Sequence, residues 1–229
     1  MKAQRLRVTF TRGEEMKYIT HLDVMRFWER ALRRAGIPVA YSEGFSPHPQ
    51  IALAIPLAVG VTSDAELMDV FLDSVMTPAQ FRERVTVELP AGVRIKSVEE
   101  AGLNLPSLQA DVRAAEYLVD IDAPADANAH RAIDELLALD TLAWEHRRDD
   151  ETKTYDLRAL IHDVRIEPHE GALRLRMLLR ADNSGAGRPE QVVAALGLPQ
   201  PHRIHRTKIV LSGASPAREA WRKRGRFAG

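Results

Sequence analysis

The chain has 229 residues, of which 45% are hydrophobic, so it exceeds the commonest domain size of roughly 100–150 residues and predicts two folded modules. It has no cysteine, which excludes disulfides, thiolate metal sites, iron–sulfur ligation and cysteine nucleophiles. Its 32 Lys and Arg balance 32 Asp and Glu, which argues against a strongly basic nucleic-acid wrapper. No secretory signal and no apolar run of ~20 residues is visible, so we expect a cytoplasmic protein without a membrane partner.

Charge is unevenly distributed along the sequence. The first 50 residues and the segment after Pro201 are rich in Lys and Arg, whereas the middle is more acidic. A surface divided in this way can bind phosphate locally even when the total charge is zero.

The first half begins with a predicted strand at residues 6–11, followed by a helix. Thr20 is a good N-cap, Asp23 opposes the helix dipole, and Gly36 with Pro38 ends the element. The remaining predicted elements are a short strand at 38–42, an extended run at 50–57, a strand at 66–72, a helix from Thr77-Pro78 to about 85, and a strand at 92–98. This order is the ferredoxin-like βαββαβ pattern.

The second half repeats this order after a predicted linker at residues 102–113. Its predicted elements are strands at 116–122, 142–147, 172–179 and 202–211, helices at 126–139 and 189–196, and a mixed segment at 155–166. We therefore predict an α+β protein of tandem ferredoxin-like modules, residues 1–101 and 114–211, the second with an extra element around 157–162. The basic tail, residues 212–229, is expected to be flexible.

The first helix carries a row of arginines. They recur at spacings of one and two turns and form a basic face opposite the apolar stripe. This face is a candidate phosphate-binding ridge; the alternative is a solvated face balanced by Glu29 and Glu43. The four residues are Arg26, Arg30, Arg33 and Arg34.

A proline-rich loop follows at residues 41–49, Tyr-Ser-Glu-Gly-Phe-Ser-Pro-His-Pro. Gly44 can adopt positive φ, and Pro47 and Pro49 restrict the backbone, which predicts a stiff loop. Its aromatic, hydroxyl and imidazole side chains are candidates for stacking on or hydrogen bonding to bases. These candidates are Tyr41, Phe45, Ser46 and His48. The alternative for Phe45 is that it fills the core beneath a turn.

Two histidines of this region could converge at one end of the sheet. His21 starts the helix and His48 lies in the loop. Paired histidines can perform general acid–base catalysis without a metal, as in ribonucleases that activate a 2′-hydroxyl. A metal site with Asp23 and a simple helix start at His21 are the alternatives.

The second half offers weaker signals. Asp156 is predicted to form a local ion pair with Arg158 or Lys153, and the later histidines lack metal-binding spacing. No Walker loop, dinucleotide glycine fingerprint or nucleophile elbow is present, and we predict no metal.

Three sequence blocks together resemble the radical-SAM-linked (radical-SAM-associated) family of unknown function. They are residues 20–23 (Thr-His-Leu-Asp), 30–38 (Arg-Ala-Leu-Arg-Arg-Ala-Gly-Ile-Pro) and the loop at 41–49. The family pattern has Ser at Thr20 and Asn at Ser46, and the specific part of the resemblance covers about residues 5–72.

The resemblance implies a partner and a substrate. Such proteins are encoded beside, or fused to, a B12-binding-type radical SAM protein, and some are joined to ribonuclease E/G-like segments. This implies that the partner carries SAM, an iron–sulfur cluster and cobalamin, while this chain holds no cofactor. The implied function is an RNA-binding (tRNA or rRNA) accessory subunit. The alternatives are a metal-independent ribonuclease-like enzyme using His21 and His48, and a protein–protein adaptor for the radical SAM partner.

Overall fold

A computed structural model describes residues 2–148, 151–169 and 173–212, and shows a mixed α+β protein. The chain divides into two compact units, Met1–Asp111 (unit 1) and Val112–Gly229 (unit 2). Apart from Ser212, the predicted tail lies outside the described residues. None of the helices in the described part of the chain has the length and apolar character needed to cross a membrane.

Unit 1 is an antiparallel sheet with helices. Its strands are Gln4–Arg12 (β1), Ile51–Leu53 (β2), Thr62–Leu72 (β3) and Ile95–Ala101 (β4), and its helices are His21–Arg34 (α1), Pro78–Thr86 (α2) and Leu108–Asp111 (α3). The strands lie in the order β2-β3-β1-β4, with antiparallel neighbours throughout.

Helix α1 forms for the reasons that its sequence suggests. The Thr20 hydroxyl oxygen accepts a hydrogen bond from the Asp23 N–H at 3.3 Å, which satisfies one free donor of the first turn. Trp28 is fully buried, and its ring meets Phe10 of β1 edge-on at 5.0 Å between centroids. Gly36 ends the helix with φ of +62°, a conformation that glycine adopts without steric cost. The predicted helix is therefore confirmed.

The opposite face of β1 is charged and buried. Arg5 is 1% exposed, and its Nε donates to Asp69 of β3 at 2.9 Å. Arg7 donates to the same carboxylate at 2.9 Å. Arg5 also donates to the carbonyls of Leu105 at 3.1 Å and Pro106 at 2.9 Å. The segment predicted as a linker is therefore held against the sheet by Arg5.

The edge of the unit 1 sheet is interrupted by the proline-rich loop. Val39 forms an isolated bridge with Leu72, the last residue of β3, and Ile51 pairs with Val70, two residues before it. The chain between them leaves the sheet and returns at almost the same place. The strand predicted at 38–42 is therefore reduced to isolated bridges, because only one residue of it pairs with β3 before the loop begins.

Unit 2 is also built on antiparallel strands. Its strands are Val112–Ile121 (β5), Ala143–Arg148 (β6), Glu151–Asp156 (β7), Ile161–Glu167 (β8), Leu173–Asp182 (β9), Gly185–Ala186 (β10) and Arg203–Leu211 (β11), and its helices are Ala127–Ala138 (α4) and Pro189–Ala195 (α5). The main order is β8-β9-β5-β11; β10 also pairs with β9, and β6 and β7 form a separate hairpin. The 3₁₀ turn Arg158–Leu160 lies within the segment 157–162 where an extra element was predicted, and the hairpin precedes that segment.

Asp156 has a different role from the predicted ion pair with Arg158. Its carboxylate accepts from the backbone N–H groups of Leu142 at 2.8 Å and Arg158 at 3.0 Å. The Arg158 guanidinium instead donates to the carbonyls of Leu137 and Ile161, at 3.0 and 2.7 Å. Both side chains thus bind backbone groups around the turn, which fixes the turn after β7, while the buried Arg158 Nε has no hydrogen-bond partner in the described part of the chain.

Candidate nucleic-acid interface

The outer face of α1 carries the four predicted arginines, and two of them are already paired. Arg26 lies 3.3 Å from the Asp23 carboxylate, and Arg34 donates to Glu88 at 2.6 Å. In the described part of the chain, the ion pairs of these arginines are with Asp23 and Glu88, and none is formed with Glu29 or Glu43.

The other two arginines of α1 keep their charge available. Arg30 and Arg33 are exposed, and no ion pair or hydrogen bond joins either guanidinium to another side chain in the described part of the chain. The hydrogen bond from the Thr20 hydroxyl lowers the pKa of Asp23, with smaller contributions from Arg26 and Arg30. Asp23 therefore stays ionised at neutral pH and offsets charge mainly in the first turns of α1. The available cationic surface is the second half of the helix.

Loop 41–49 is closed by polar contacts between its two sides. The Ser42 N–H donates to the His48 carbonyl at 2.9 Å, and the His48 N–H donates to the Ser42 hydroxyl oxygen at 2.9 Å. Tyr41 and Pro49 form the bridge beneath them. Gly44 has φ of +125°, which confirms the predicted positive φ. Hydrogen bonds and backbone restriction, not a buried core, therefore set the loop's shape.

The aromatic side chains of this loop lie in solvent. Phe45 is 109% exposed, which means that its ring is fully accessible, and Tyr41 is 54% exposed. Ser46 and His48 are also exposed. The interpretation of Phe45 as a core residue is therefore wrong. Its position leaves both faces of the ring free to stack on another flat group.

The loop begins at the end of the unit where α1 finishes. Arg34, the last residue of α1, is five positions before Val39, which bridges to Leu72 at the end of β3. Loop 41–49 starts two residues later. The available arginines near the end of α1 and the exposed aromatic rings therefore belong to the same end of unit 1.

His21 lies at the opposite end. It follows β1, whose last residue Arg12 pairs with Ser63 at the start of β3 and donates to the Ile19 carbonyl at 2.9 Å. Leu72 lies nine positions after Ser63 in β3, a distance of about 30 Å, and α1 is about 21 Å long. The expected convergence of His21 and His48 is thereby corrected: sheet register and helix direction place them at opposite ends of the unit.

No group of three or more His, Asp or Glu side chains suited to a metal occurs among residues 2–148, 151–169 and 173–212.

The hydroxyl groups of Thr62 and Ser63, which follow the turn at Gly60, are poorly placed to bind a ligand because both residues are buried. Thr62 and Ser63 are 4% and 1% exposed, and Ser63 accepts from the Ala65 N–H at 3.1 Å.

Three exposed apolar side chains near the start of α1 were not among the predicted site residues. Tyr18, Leu22 and Val59 are 72%, 66% and 58% exposed. The Gly60 N–H donates to the Lys17 carbonyl at 2.7 Å, which brings the segments carrying Tyr18 and Val59 together. We call these three side chains the α1-start apolar group. Leu22 could have been detected, because it lies outside the apolar stripe of the helix.

Comparison with known proteins identifies a family whose sequence profile matches most of this chain. The profile described as "Uncharacterized protein conserved in bacteria (DUF2344)" matches residues 5–189. No curated protein matches the sequence significantly.

Similar solved structures were also found. A chain in the crystal structure of a Cbf5-Nop10-Gar1 complex has a TM-score of 0.48 and 10% identity, covering 91% of this chain and 49% of that one. A chain in an H/ACA RNP bound to a substrate RNA containing 2′-deoxyuridine has a TM-score of 0.43 and 12% identity, covering 90% and 47%. This chain thus spans about half the length of the chains it matches.

Proposed function

The chain belongs to the family of uncharacterized proteins conserved in bacteria (DUF2344), and we propose that it is an RNA-binding accessory subunit. The observation that carries the proposal is the fully exposed ring of Phe45, held in a closed loop at the end of unit 1 where α1 finishes. Arg30 and Arg33, whose charges have no carboxylate partner among the described residues, lie in the second half of that helix.

RNA with unpaired bases fits this chemistry. Arg30 and Arg33 would contact phosphates, which position the RNA without reading its sequence. Tyr41 and Phe45 would stack on bases splayed out of a loop or bulge, with His48 as a hydrogen-bonding neighbour. Because the contacts between Ser42 and His48 already restrain the loop, less conformational entropy is lost on binding. A structured RNA such as tRNA or rRNA offers both features.

We further infer that each unit is a ferredoxin-like module. The order β2-β3-β1-β4 in unit 1 and the order β8-β9-β5-β11 in unit 2 follow one pattern: second, third, first and fourth strand of the module. The hairpin of β6 and β7 is then an insertion between the first helix and the second strand of unit 2. These parallels support two modules of one type.

The proposed partner is a radical SAM modification enzyme. The support is the resemblance of residues 20–23, 30–38 and 41–49 to radical-SAM-linked proteins. In this arrangement the partner carries SAM, the iron–sulfur cluster and cobalamin, and this cysteine-free chain recognises the RNA in the cytoplasm.

Crosslinking in cells tests RNA recognition directly. RNA crosslinked to the native protein is sequenced alongside RNA from the double variant Arg30→Ala/Arg33→Ala. We expect enrichment of one structured RNA class that the double variant loses. Arg82→Ala/Arg84→Ala, which removes two exposed charges from α2, is the matched control and should keep the enrichment. Equal crosslinking by all three proteins, or none above background, contradicts the proposal.

A protein–protein adaptor is the second candidate, favoured by the α1-start apolar group. Exposed apolar side chains of this size mark interaction surfaces when they cluster. Leu22→Asp should then abolish co-purification with the radical SAM protein while RNA binding stays unchanged. Retained co-purification contradicts the adaptor function.

The ribonuclease-like alternative has less support, because His21 and His48 lie at opposite ends of unit 1. Incubation of small structured RNAs with the native protein and with His48→Ala separates the two hypotheses. The binding proposal predicts intact RNA in both samples, whereas cleavage that is lost in the variant would establish an enzyme.

A further inference from the structure

A cleft in unit 2 is unrelated to the RNA-binding proposal for unit 1. It encloses about 420 Å³, within the range of about 300–1,000 Å³ typical of small-molecule sites. The residues that matter for its chemistry are His146, Tyr155, Leu160, Arg180, Ser184 and Arg188. They come from the β6–β7 hairpin, the 3₁₀ turn after it, and the chain around β9 and β10.

Two glycines allow one wall of the cleft to form. A Cβ atom on Gly185 would lie 2.8 Å from the Leu160 side chain, and one on Gly187 would lie 3.0 Å from the Leu160 carbonyl oxygen. The Leu160 side chain can move aside for a larger residue at 185, but the backbone oxygen near Gly187 cannot do so easily, so glycine is favoured at 187, where the chain leaves β10 close to the 3₁₀ turn. The result is a wall in which Leu160 and the small side chain of Ala186 face the cleft.

The Tyr155 ring is fixed on the hairpin side. Its hydroxyl donates to the Gln191 side-chain oxygen at 2.5 Å, and Gln191 is 6% exposed. Burial raises the pKa of the Tyr155 phenol, against the opposing effects of Gln191 and the Arg188 charge. The ring therefore stays neutral at physiological pH and provides a flat, rigid surface.

The cleft has two guanidiniums in its lining, those of Arg180 and Arg188. Arg180 is paired with Asp182 at 2.8 Å and also donates to the Ser184 hydroxyl. Arg188 is exposed, and its guanidinium has no ion pair or hydrogen bond with any residue that the structure describes. Asp156 also lines the cleft, but its Oδ1 accepts two backbone N–H bonds. An anionic ligand would therefore find a guanidinium whose hydrogen-bonding groups are unused.

We propose that this cleft binds a phosphate-bearing small molecule of mononucleotide size. Arg188 binds the phosphate with its planar fork of N–H donors, assisted by His146, whereas the Ser184 hydroxyl already donates to the Asp182 carboxylate at 2.5 Å. The ring of the ligand packs between Tyr155 and the wall formed by Leu160. Because no residue of this cleft belongs to loop 41–49 or α1, the proposal stands independently of RNA binding.

Calorimetric titration of the full chain with AMP tests this site. Adenosine and inorganic phosphate, the two parts of AMP, are titrated separately for comparison. We expect saturable one-to-one binding of AMP, at least about 10-fold tighter than either part. Arg188→Gln should weaken AMP binding about 10-fold or more, because a charge-assisted hydrogen bond is lost. Ala186→Trp should abolish it by filling the cleft, with no change in charge.

Arg131→Gln removes an exposed charge from α4 of the same unit and should leave AMP binding unchanged. Thermal melting of each variant verifies that it is folded; Arg188 and Ala186 are both exposed, so we expect native melting temperatures. No saturable binding of AMP at millimolar concentration overturns the proposal. The proposal is also overturned if Arg188→Gln and Ala186→Trp are both folded and bind AMP with the affinity of the native protein.

Discussion

Unit 1 uses arginine in two opposite ways. Arg5 and Arg7 on β1 share the buried Asp69 carboxylate, and Arg5 also donates to carbonyls of the segment after β4. Arg30 and Arg33 on α1 are exposed and have no carboxylate partner in the described part of the chain. The number of charges in a segment therefore does not indicate their role. Buried, paired arginines fix the fold, and exposed, unpaired ones are available to bind.

The largest effect is expected where a buried charge loses its partner. Asp69→Ala leaves Arg5 buried and uncompensated, which should lower the free energy of unfolding by about 3–5 kcal/mol. Urea denaturation measures this loss. The exposed Asp73, one residue beyond the end of β3, provides the control, and Asp73→Ala should stay within about 0.5 kcal/mol of the native protein. A loss below about 1 kcal/mol in Asp69→Ala would show that the pair does not stabilise the fold.

The exposed loop should behave in the opposite way. Phe45→Ala should leave the unfolding free energy unchanged, because the ring has no buried surface to lose. Its RNA affinity should fall about 5- to 150-fold, corresponding to about 1–3 kcal/mol for one stacked base. Fluorescence anisotropy with the crosslinked RNA measures the affinity. Val87→Ala, at another exposed apolar residue of unit 1, should change neither quantity. A destabilised Phe45→Ala protein with native RNA affinity would reverse the assignment.

A smaller effect concerns paired charges near the surface. Burial opposes ionisation of Asp182, but hydrogen bonds from Ser184 and Arg180 outweigh it and lower its pKa to about 2. A lowered carboxyl pKa stabilises the folded state above the ordinary pKa of about 3.9, and this stabilisation is lost as pH falls towards 2.

Asp182→Asn should therefore lose about 1 kcal/mol less stability than the native protein between pH 5 and pH 2, allowing for partial solvent screening. Urea denaturation at both pH values measures the difference. Identical losses in the two proteins would show that the Asp182 ion pair makes no contribution.

Local sequence signals correctly predicted helix α1 and the positive φ of Gly44 in loop 41–49. The ends of α1 are set by local interactions. Thr20 and Asp23 contact each other in the first turn, and Gly36 ends the helix, so their effects depend only on residues nearby in sequence. The positive φ at Gly44 follows from the same kind of local argument. The apolar stripe that buries Trp28 depends only on helical periodicity.

Contacts between distant residues could not be predicted in this way. Arg5 and Asp69 are 64 positions apart, and only the register of β1 against β3 places them together. The separation of His21 from His48 likewise depends on where the chain rejoins β3 after the loop. The exposure of Phe45 depends on the loop leaving the sheet edge, which the residues around it do not reveal. Sequence periodicity identifies faces, whereas strand register determines neighbours.

The proposed RNA binding depends most on contacts of Arg30 and Arg33 with phosphates. It is tested most directly by measuring RNA affinity against salt concentration for the native protein and for Arg30→Ala/Arg33→Ala. Each lost phosphate contact on a single strand reduces the slope of log affinity against log salt by about 0.7, so the account predicts a slope about 1.4 units shallower in the double variant. An unchanged slope with unchanged affinity would contradict it.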